Sequence, residues 1–175
     1  TAIGSPSALG ATTTGTIVSS GATLTILGSF AMDAEPVTIS GTGETGSSGA
    51  LEGYNTDYSG LLKLGAASTV AALGGAFNLT NTGTITGAGF GLTLTGPGSG
   101  SIASIIGTTS GTVTITGGSS WMLGGANTFT GALTVSGGST LVVHTVNNAN
   151  TDGPFGHSAT GVTLKASSPA GLFYG

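Results

Sequence analysis

Two acidic residues, Asp33 and Glu35, are the strongest candidates for catalytic chemistry in this sequence. On a β-strand they would point to the same side, and a pair of carboxylates can supply the acid and the base or nucleophile of glycoside hydrolysis. Such a site needs further charged side chains around it. The nearest ones, Glu44 and Glu52, lie among Gly and Ser residues that are typical of turns. We therefore predict that these carboxylates are solvated loop residues.

The two histidines, His144 and His157, do not form a recognisable metal motif. Zinc sites take four ligands, mainly from Cys, His and acidic residues, and the chain has no Cys and no third His. We predict that His144 ends a strand and that His157 follows a corner. A Ser-His-Asp triad can be drawn from any chain so rich in Ser, and no nucleophile-elbow motif supports one. The sequence predicts no catalytic, cofactor-binding or metal-binding residue, and no cofactor.

Lys63 and the aromatic residues are candidates for surface contacts. Lys63 lies between Leu62 and Leu64, so we expect it to point outward while the leucines point inward; an isopeptide bond to an Asn or Asp is the alternative to a solvated side chain. An exposed aromatic strip could stack on sugar rings, but in a chain of small residues large rings more often fill the core or cover a corner. The aromatic residues considered are Tyr54, Tyr58, Trp121, Phe129 and Tyr174.

Pairs of threonines separated by one residue recur along the chain. Stacked on one flat face, such pairs could order water and bind ice. Their spacing along the sequence is irregular, so we predict that they do not share one face of a regular coil and that they reflect the preference of Thr for outward strand positions. The pairs are Thr23/Thr25, Thr84/Thr86, Thr93/Thr95, Thr112/Thr114 and Thr128/Thr130.

The composition excludes some classes of partner. Charged residues make up 5% of the 175 residues, and the basic ones are Lys63 and Lys165. Phosphate binding needs clustered Lys and Arg, so nucleic acid is excluded as a partner. No apolar run approaches the roughly 18 residues of a membrane helix, so we expect no membrane span in this segment. The chain does not open on a signal peptide, and we interpret it as a mature piece or an excised segment.

Short stretches of alternating apolar and polar residues indicate β-strands along the whole chain. Gly, Ser and Asn separate them, and Gly accommodates the positive φ of tight corners. Because Gly or a β-branched residue interrupts almost every window with a helical period, we expect little or no helix. The predicted strands lie within residues 15–18, 22–26, 37–39, 61–64, 83–86, 92–94, 112–115, 132–135 and 141–143.

Short strands that return about every ten residues favour an elongated, right-handed parallel β-solenoid (β-helix), in which coils stack at about 4.8 Å around a continuous core. At roughly 20 residues per coil, the chain would make about eight or nine coils. Residues 1–175 are therefore expected to form a single solenoid segment.

The stretch from Leu9 to Leu24 recurs between Phe155 and Leu172: an apolar residue followed by Gly precedes two short strands in both. We interpret residues 9–154 as about one module of a longer repetitive protein and residues 155–175 as the start of the next. Like modules, in the same chain or in other copies, would then follow one another end to end. We see no polar capping segment at either end.

Residues 124–143 contain a longer motif: Gly-Gly-Ala-Asn-Thr-Phe-Thr-Gly, a Thr-Val strand, a Gly-Gly corner and a Thr-Leu-Val-Val strand. Residues 34–43 read Ala-Glu-Pro-Val-Thr-Ile-Ser-Gly-Thr-Gly. Both stretches resemble the autotransporter-associated β-strand repeat. The resemblance implies a right-handed β-helix from a large bacterial surface or secreted protein, and it implies no catalytic residues.

Two classes of function remain. The first is a non-catalytic extracellular rod or fibre segment for structure, surface display, adhesion or matrix formation, on the outer surface of a bacterium or secreted from it. Its partners would be like modules and a host surface or glycan. The second is a carbohydrate-binding or carbohydrate-active β-helix, which a groove gathering three or more charged side chains would favour.

Overall fold

The computed structural model describes residues 2–5, 7–10, 12–29, 31–165 and 170–175. All regular elements in these residues are β-strands, which stack in parallel as a β-solenoid of about six turns. The prediction of an all-β parallel solenoid is confirmed. The strands are β1 (Ala2–Ile3), β2 (Thr16–Val18), β3 (Leu24–Leu27), β4 (Ala31–Met32), β5 (Val37–Gly41), β6 (Leu51–Tyr58), β7 (Leu62–Leu79), β8 (Thr84–Thr86), β9 (Leu92–Thr95), β10 (Ser99–Ile102), β11 (Ile105–Gly107), β12 (Val113–Ile115), β13 (Ser120–Leu123), β14 (Leu133–Val135), β15 (Thr140–Val143), β16 (Val162–Leu164) and β17 (Gly171–Tyr174).

The strands form three columns, each of which makes one side of the solenoid. The first column contains β2, β5, the start of β7, β8 and β11. The second contains β1, β3, the start of β6, the middle of β7, β9, β12, β14 and β16. The third contains β4, the ends of β6 and β7, β10, β13, β15 and β17. From β2 to β13 the chain visits the three columns in turn and so advances by one layer per coil, whereas the strands after β13 belong to the second and third columns only.

Every stretch predicted as a strand overlaps an observed one. Coil length varies more than assumed, because side-chain hydrogen bonds between neighbouring coils join residues from 19 to 31 positions apart. The chain therefore makes fewer full turns than the expected eight or nine, although its second column contains eight strands. The long strand β7 has 18 residues and contributes to all three columns. Register shifts in its pairing with β6 mark the corner between the second and third columns.

Inward side chains stack into one continuous core. Leu94, Ile115 and Val135 share one register position in the second column, and all three are fully buried. Each side chain of this kind stabilises the fold by about 1.5–3 kcal/mol when it is removed from water. The core is thus a set of columns of Leu, Ile and Val that continue from coil to coil.

Two large rings fit into the third column because a glycine separates them. Phe77, Gly100 and Trp121 occupy one register position on β7, β10 and β13, and both rings are fully buried. A Cβ atom on Gly100 would lie 2.3 Å from Cζ3 of Trp121, so the indole ring occupies the space that a side chain at this position would need. A glycine therefore lets this narrow coil contain a tryptophan.

The first and last layers are covered to different extents. Strand β1 pairs with β3 and places Ile3 over the core, and Leu9 packs against it as well. In the last layer Leu164, Leu172 and Tyr174 continue columns of buried residues, yet they are 48%, 40% and 69% exposed. The last described layer therefore presents its apolar inward side chains uncovered.

The two similar segments lie on different sides of the solenoid. Thr16–Val18 belongs to the first column, whereas its counterpart Val162–Leu164 belongs to the second. Ala11 and residues 166–169, which fall within the compared segments, lie outside the described residues. The second segment therefore lies one column further around the solenoid than the first. The division into modules stays a prediction.

Candidate functional site

The corner before β5 contains the acidic pair, and it separates the two residues. Asp33 is exposed, whereas Glu35 is only 3% exposed. Thr16 Oγ1 donates a hydrogen bond to Glu35 Oε1 at 2.6 Å, and Glu35 Oε2 has no partner within the described residues. The prediction that Glu35 is solvated is wrong, because Thr16 of the preceding coil and Tyr58 of the following coil lie against it.

Tyr58 is the second buried acid at this corner. It is fully buried, and its hydroxyl donates a hydrogen bond to the backbone oxygen of Glu35 at 2.5 Å. Burial raises the pKa of Tyr58 well above its ordinary value, and the charge of Glu35 raises it further. The Tyr58 hydroxyl therefore keeps its proton, and its hydrogen bond to the Glu35 backbone stabilises the corner. Within the described residues no three His, Cys, Asp or Glu side chains gather where a metal ion could bind.

Glu52 fastens a loop over the second column. It is 5% exposed, and its Oε1 accepts hydrogen bonds from the backbone N–H groups of Ser48 at 2.6 Å and Gly49 at 3.2 Å. Thr25 Oγ1 donates to Glu52 Oε2 at 2.9 Å. The prediction of a solvated side chain is wrong for Glu52, since the loop before it folds back onto its carboxylate. Glu44 is exposed as predicted.

Each histidine has its own partner. His144 follows β15, and its Nδ1 lies 2.6 Å from the backbone oxygen of Gly175. His157 is close to a turn, and its Nδ1 lies 2.7 Å from Asp152 Oδ1 in an exposed pair. Lys63 is exposed between two buried leucines, as predicted.

The aromatic residues do not form a strip along one side. Tyr54 on β6 is 52% exposed, and Tyr174 on the last strand is 69% exposed. They lie in different columns of the solenoid and several coils apart, Tyr54 on the third strand of its column and Tyr174 on the last of its own. The other three aromatic residues fill the core, as expected, and are fully buried: Tyr58, Trp121 and Phe129.

Asn127 is a buried polar residue that no sequence argument had singled out. It is fully buried, its Oδ1 accepts a hydrogen bond from the backbone N–H of Ile106 at 2.8 Å, and its Nδ2 donates to the backbone oxygen of Pro154 at 3.2 Å. It thereby joins its own coil to the coil on either side. The Asn of the Gly-Ala-Asn-Thr-Phe-Thr-Gly motif was the available signal, and its role here is structural.

The second column brings together threonines that the sequence spacing separates. Thr93, Thr114, Thr134 and Thr163 share one outward register position. Thr95, Thr116 and Ser136 share the next outward register position, two residues further along the chain. The backbone hydrogen bonds show this register: the N–H of Thr116 donates to the oxygen of Leu94 and the N–H of Ser136 to the oxygen of Ile115, both at 2.9 Å.

The prediction that the Thr-x-Thr pairs do not share one face is therefore wrong for this column. On β12 the pair in register with Thr93/Thr95 is Thr114/Thr116 and not Thr112/Thr114. On β14 the pair is Thr134/Ser136, so a serine takes one of the positions. Thr84 and Thr86 lie in the first column, so they stay outside this group. We call the following outward side chains the hydroxyl ladder: Thr93, Thr95, Thr114, Thr116, Thr134, Ser136 and Thr163.

The part of the chain that the structure describes has no helix long and apolar enough to cross a membrane. The resemblance of residues 34–43 and 124–143 to the autotransporter-associated β-strand repeat stays a prediction from the sequence motif. Comparison of the chain with protein-family models, with curated proteins and with solved structures finds no match.

Proposed function

We propose that this chain is a non-catalytic section of an extracellular rod or stalk on a bacterial surface, built from stacked coils that continue beyond those described. The observation that carries the proposal is the open last layer. Leu164, Leu172 and Tyr174 occupy register positions that are buried in every preceding described coil of their columns. Covering such half-exposed side chains with a further coil contributes about 1 kcal/mol or more for each.

The backbone supports the same proposal. The last strands β16 and β17 pair on one side only among the described residues. Unpaired strand edges favour the addition of a further strand, and solenoids extend by this kind of nearest-neighbour stacking. The net charge of −4 on 175 residues is too small to oppose the approach of a second coil. The partner is thus a like coil, from the same chain or from another copy.

Carbohydrate chemistry receives less support from the acidic residues. Glu35 and Glu52 are buried and engaged by hydrogen bonds within the fold, while Asp33 is exposed at a separate position. A surface rod that adheres to a host glycan remains compatible with the proposal. Polysaccharide turnover by the purified protein that Asp33→Asn or Glu35→Gln abolished would contradict it.

Two Tyr→Lys variants test the stacking of coils. Tyr174→Lys places a charge on the open layer, and Tyr54→Lys places the same charge on an exposed tyrosine elsewhere. Sedimentation velocity and electron microscopy of the unmodified protein should show association along one axis that increases with concentration. Tyr174→Lys should weaken it and Tyr54→Lys should not. Particles that remain single at all concentrations, or equal effects of the two variants, would contradict the proposal.

The extracellular location has a separate test. Protease added to intact cells of the source bacterium should digest the protein, while a cytoplasmic control protein stays intact. Protection of the protein until the cells are lysed would show that the rod is not displayed on the surface.

A further inference from the structure

The hydroxyl ladder is a regular array on one side of the solenoid. The pairings that align β9, β12, β14 and β16 contain no register shift. Neighbouring strands of a sheet lie about 4.8 Å apart, and alternate residues of one strand lie about 6.6 Å apart. The ladder therefore places hydroxyl and methyl groups on a two-dimensional grid with these two spacings.

The hydroxyls of the ladder are available to bind water. Within the described residues no protein hydrogen bond is assigned to the side chains of Thr93, Thr95, Thr114 or Thr134, and Ser136 Oγ donates to Thr116 Oγ1 at the long distance of 3.3 Å. These side chains are partly exposed. The array thus presents unused donors and acceptors at repeating positions.

The earlier coils of the same column are different, because a loop covers them. Thr25 donates to Glu52, and Glu52 accepts from the loop residues Ser48 and Gly49. Thr69, in register with Thr93, is 8% exposed. The ladder begins at β9, where this cover ends.

We propose that the hydroxyl ladder binds ice by holding water at the spacing of the ice lattice. In a tetrahedral network with O–H···O distances of about 2.8 Å, two oxygens bonded to a common third lie about 4.5 Å apart, and the repeat along the hexagonal axis is about 7.4 Å. The grid of the ladder, about 4.8 by 6.6 Å, matches the first distance closely and the second to about a tenth. Thr is suited to such a grid because branching at Cβ restricts χ1 and fixes the direction of its hydroxyl and methyl groups.

The surroundings of the ladder favour water over an ion or a sugar. Its described strands carry no acidic or aromatic side chain between Leu92 and Thr95, Val113 and Thr116, or Leu133 and Ser136. In the last coil Lys165 occupies the register position that Ser136 holds in the coil before, because its backbone N–H donates to the backbone oxygen of Val135. A lysine thus lies where the ladder would have its next hydroxyl. The array is short, so we expect slower growth of ice grains rather than a large depression of the freezing point.

Inhibition of ice recrystallisation tests the proposal, with three variants of the whole chain. Thr114→Lys places a charge at the centre of the ladder. Thr128→Lys makes the same change on an exposed threonine outside it. Lys165→Thr extends the ladder by one hydroxyl. Circular dichroism and thermal unfolding show which variants keep the fold.

The unmodified protein and Thr128→Lys should slow the coarsening of ice grains, Thr114→Lys should lose the effect, and Lys165→Thr should strengthen it. If Thr114→Lys does not fold, the comparison of Lys165→Thr with the unmodified chain decides. Lack of any effect of the unmodified protein on ice would overturn the proposal. So would an equal loss in Thr114→Lys and Thr128→Lys when both are folded, or binding to crystalline cellulose with no effect on ice.

Discussion

Substitution of Gly100 by alanine tests the arrangement of the core directly. Gly100 lies in β10 between Phe77 and Trp121, and its backbone conformation is one that alanine adopts without strain. The added Cβ would lie 2.3 Å from Cζ3 of Trp121 and 2.6 Å from two further ring atoms. Carbon atoms that are not bonded do not approach so closely, so the buried indole ring has to move.

The expected cost follows from two opposing effects. Overpacking of a closed core costs about 1–3 kcal/mol, and the contacts with several ring atoms place this case toward the upper end. Replacing glycine within a strand recovers about 0.5–1 kcal/mol of backbone entropy. We expect a net loss of about 2 kcal/mol in the free energy of unfolding. For a chain of this size that corresponds to a fall of about 4–8 °C in the melting temperature.

Urea unfolding followed by circular dichroism measures this loss, and the single tryptophan gives a fluorescence signal from the perturbed site. Gly124→Ala is the matched control, because its Cβ would meet only Ile102 O at the ordinary distance of 3.5 Å. In a Trp121→Leu background, Gly100→Ala should cost much less. The reasoning is refuted if Gly100→Ala is as stable as Gly124→Ala, or if Trp121→Leu leaves its cost unchanged.

Three further predictions concern the buried polar groups. Thr16→Val removes the hydrogen bond that Thr16 Oγ1 donates to the Glu35 carboxylate and should cost about 1–3 kcal/mol in urea unfolding. Thr134 makes no side-chain hydrogen bond among the described residues, so Thr134→Val should change stability by less than about 0.5 kcal/mol, and equal effects of the two variants would contradict the assignment. Asn127→Ala leaves a buried N–H and a buried C=O without partners and should cost about 2–5 kcal/mol, so a variant as stable as the parent would show that this amide does not join the coils. Because the pKa of Tyr58 is raised in the folded state, the folded chain keeps this proton while the unfolded chain loses it above about pH 10, and stability should fall as the pH rises beyond that point. In Tyr58→Phe the fall should be less steep, and an unchanged slope in unfolding experiments from pH 9 to 12 would contradict this.

The fold was predictable because strand alternation is a local property. Residues 92–94, 112–115 and 132–135 each carry inward apolar and outward Thr residues, and all three form strands. The middle of β7 was not predictable in this way. Its Ala-Ala-Ser-Thr-Val-Ala-Ala segment has no alternation, and it becomes a strand because pairing partners lie on both sides of it.

The candidate sites depend on contacts between coils, which strand patterns do not encode. Glu35 is buried because Thr16 comes to lie beside it in the preceding coil, and this depends on the number of residues in the corners. The same holds for the hydroxyl ladder: Thr93 and Thr114 meet only because the coil between them has the length that brings them into register. Coil length is set by irregular corners, so the sequence alone left the threonines apart.

The displacement between the two similar segments has a consequence for a long rod. Thr16–Val18 lies in the first column and Val162–Leu164 in the second, so a module that repeats with this offset starts one side further around the axis each time. Three successive modules would then return to the starting orientation, as in a screw with threefold repetition. A surface feature present once per module, such as an adhesive patch, would face three directions around the stalk, and a target approaching from any side would meet it.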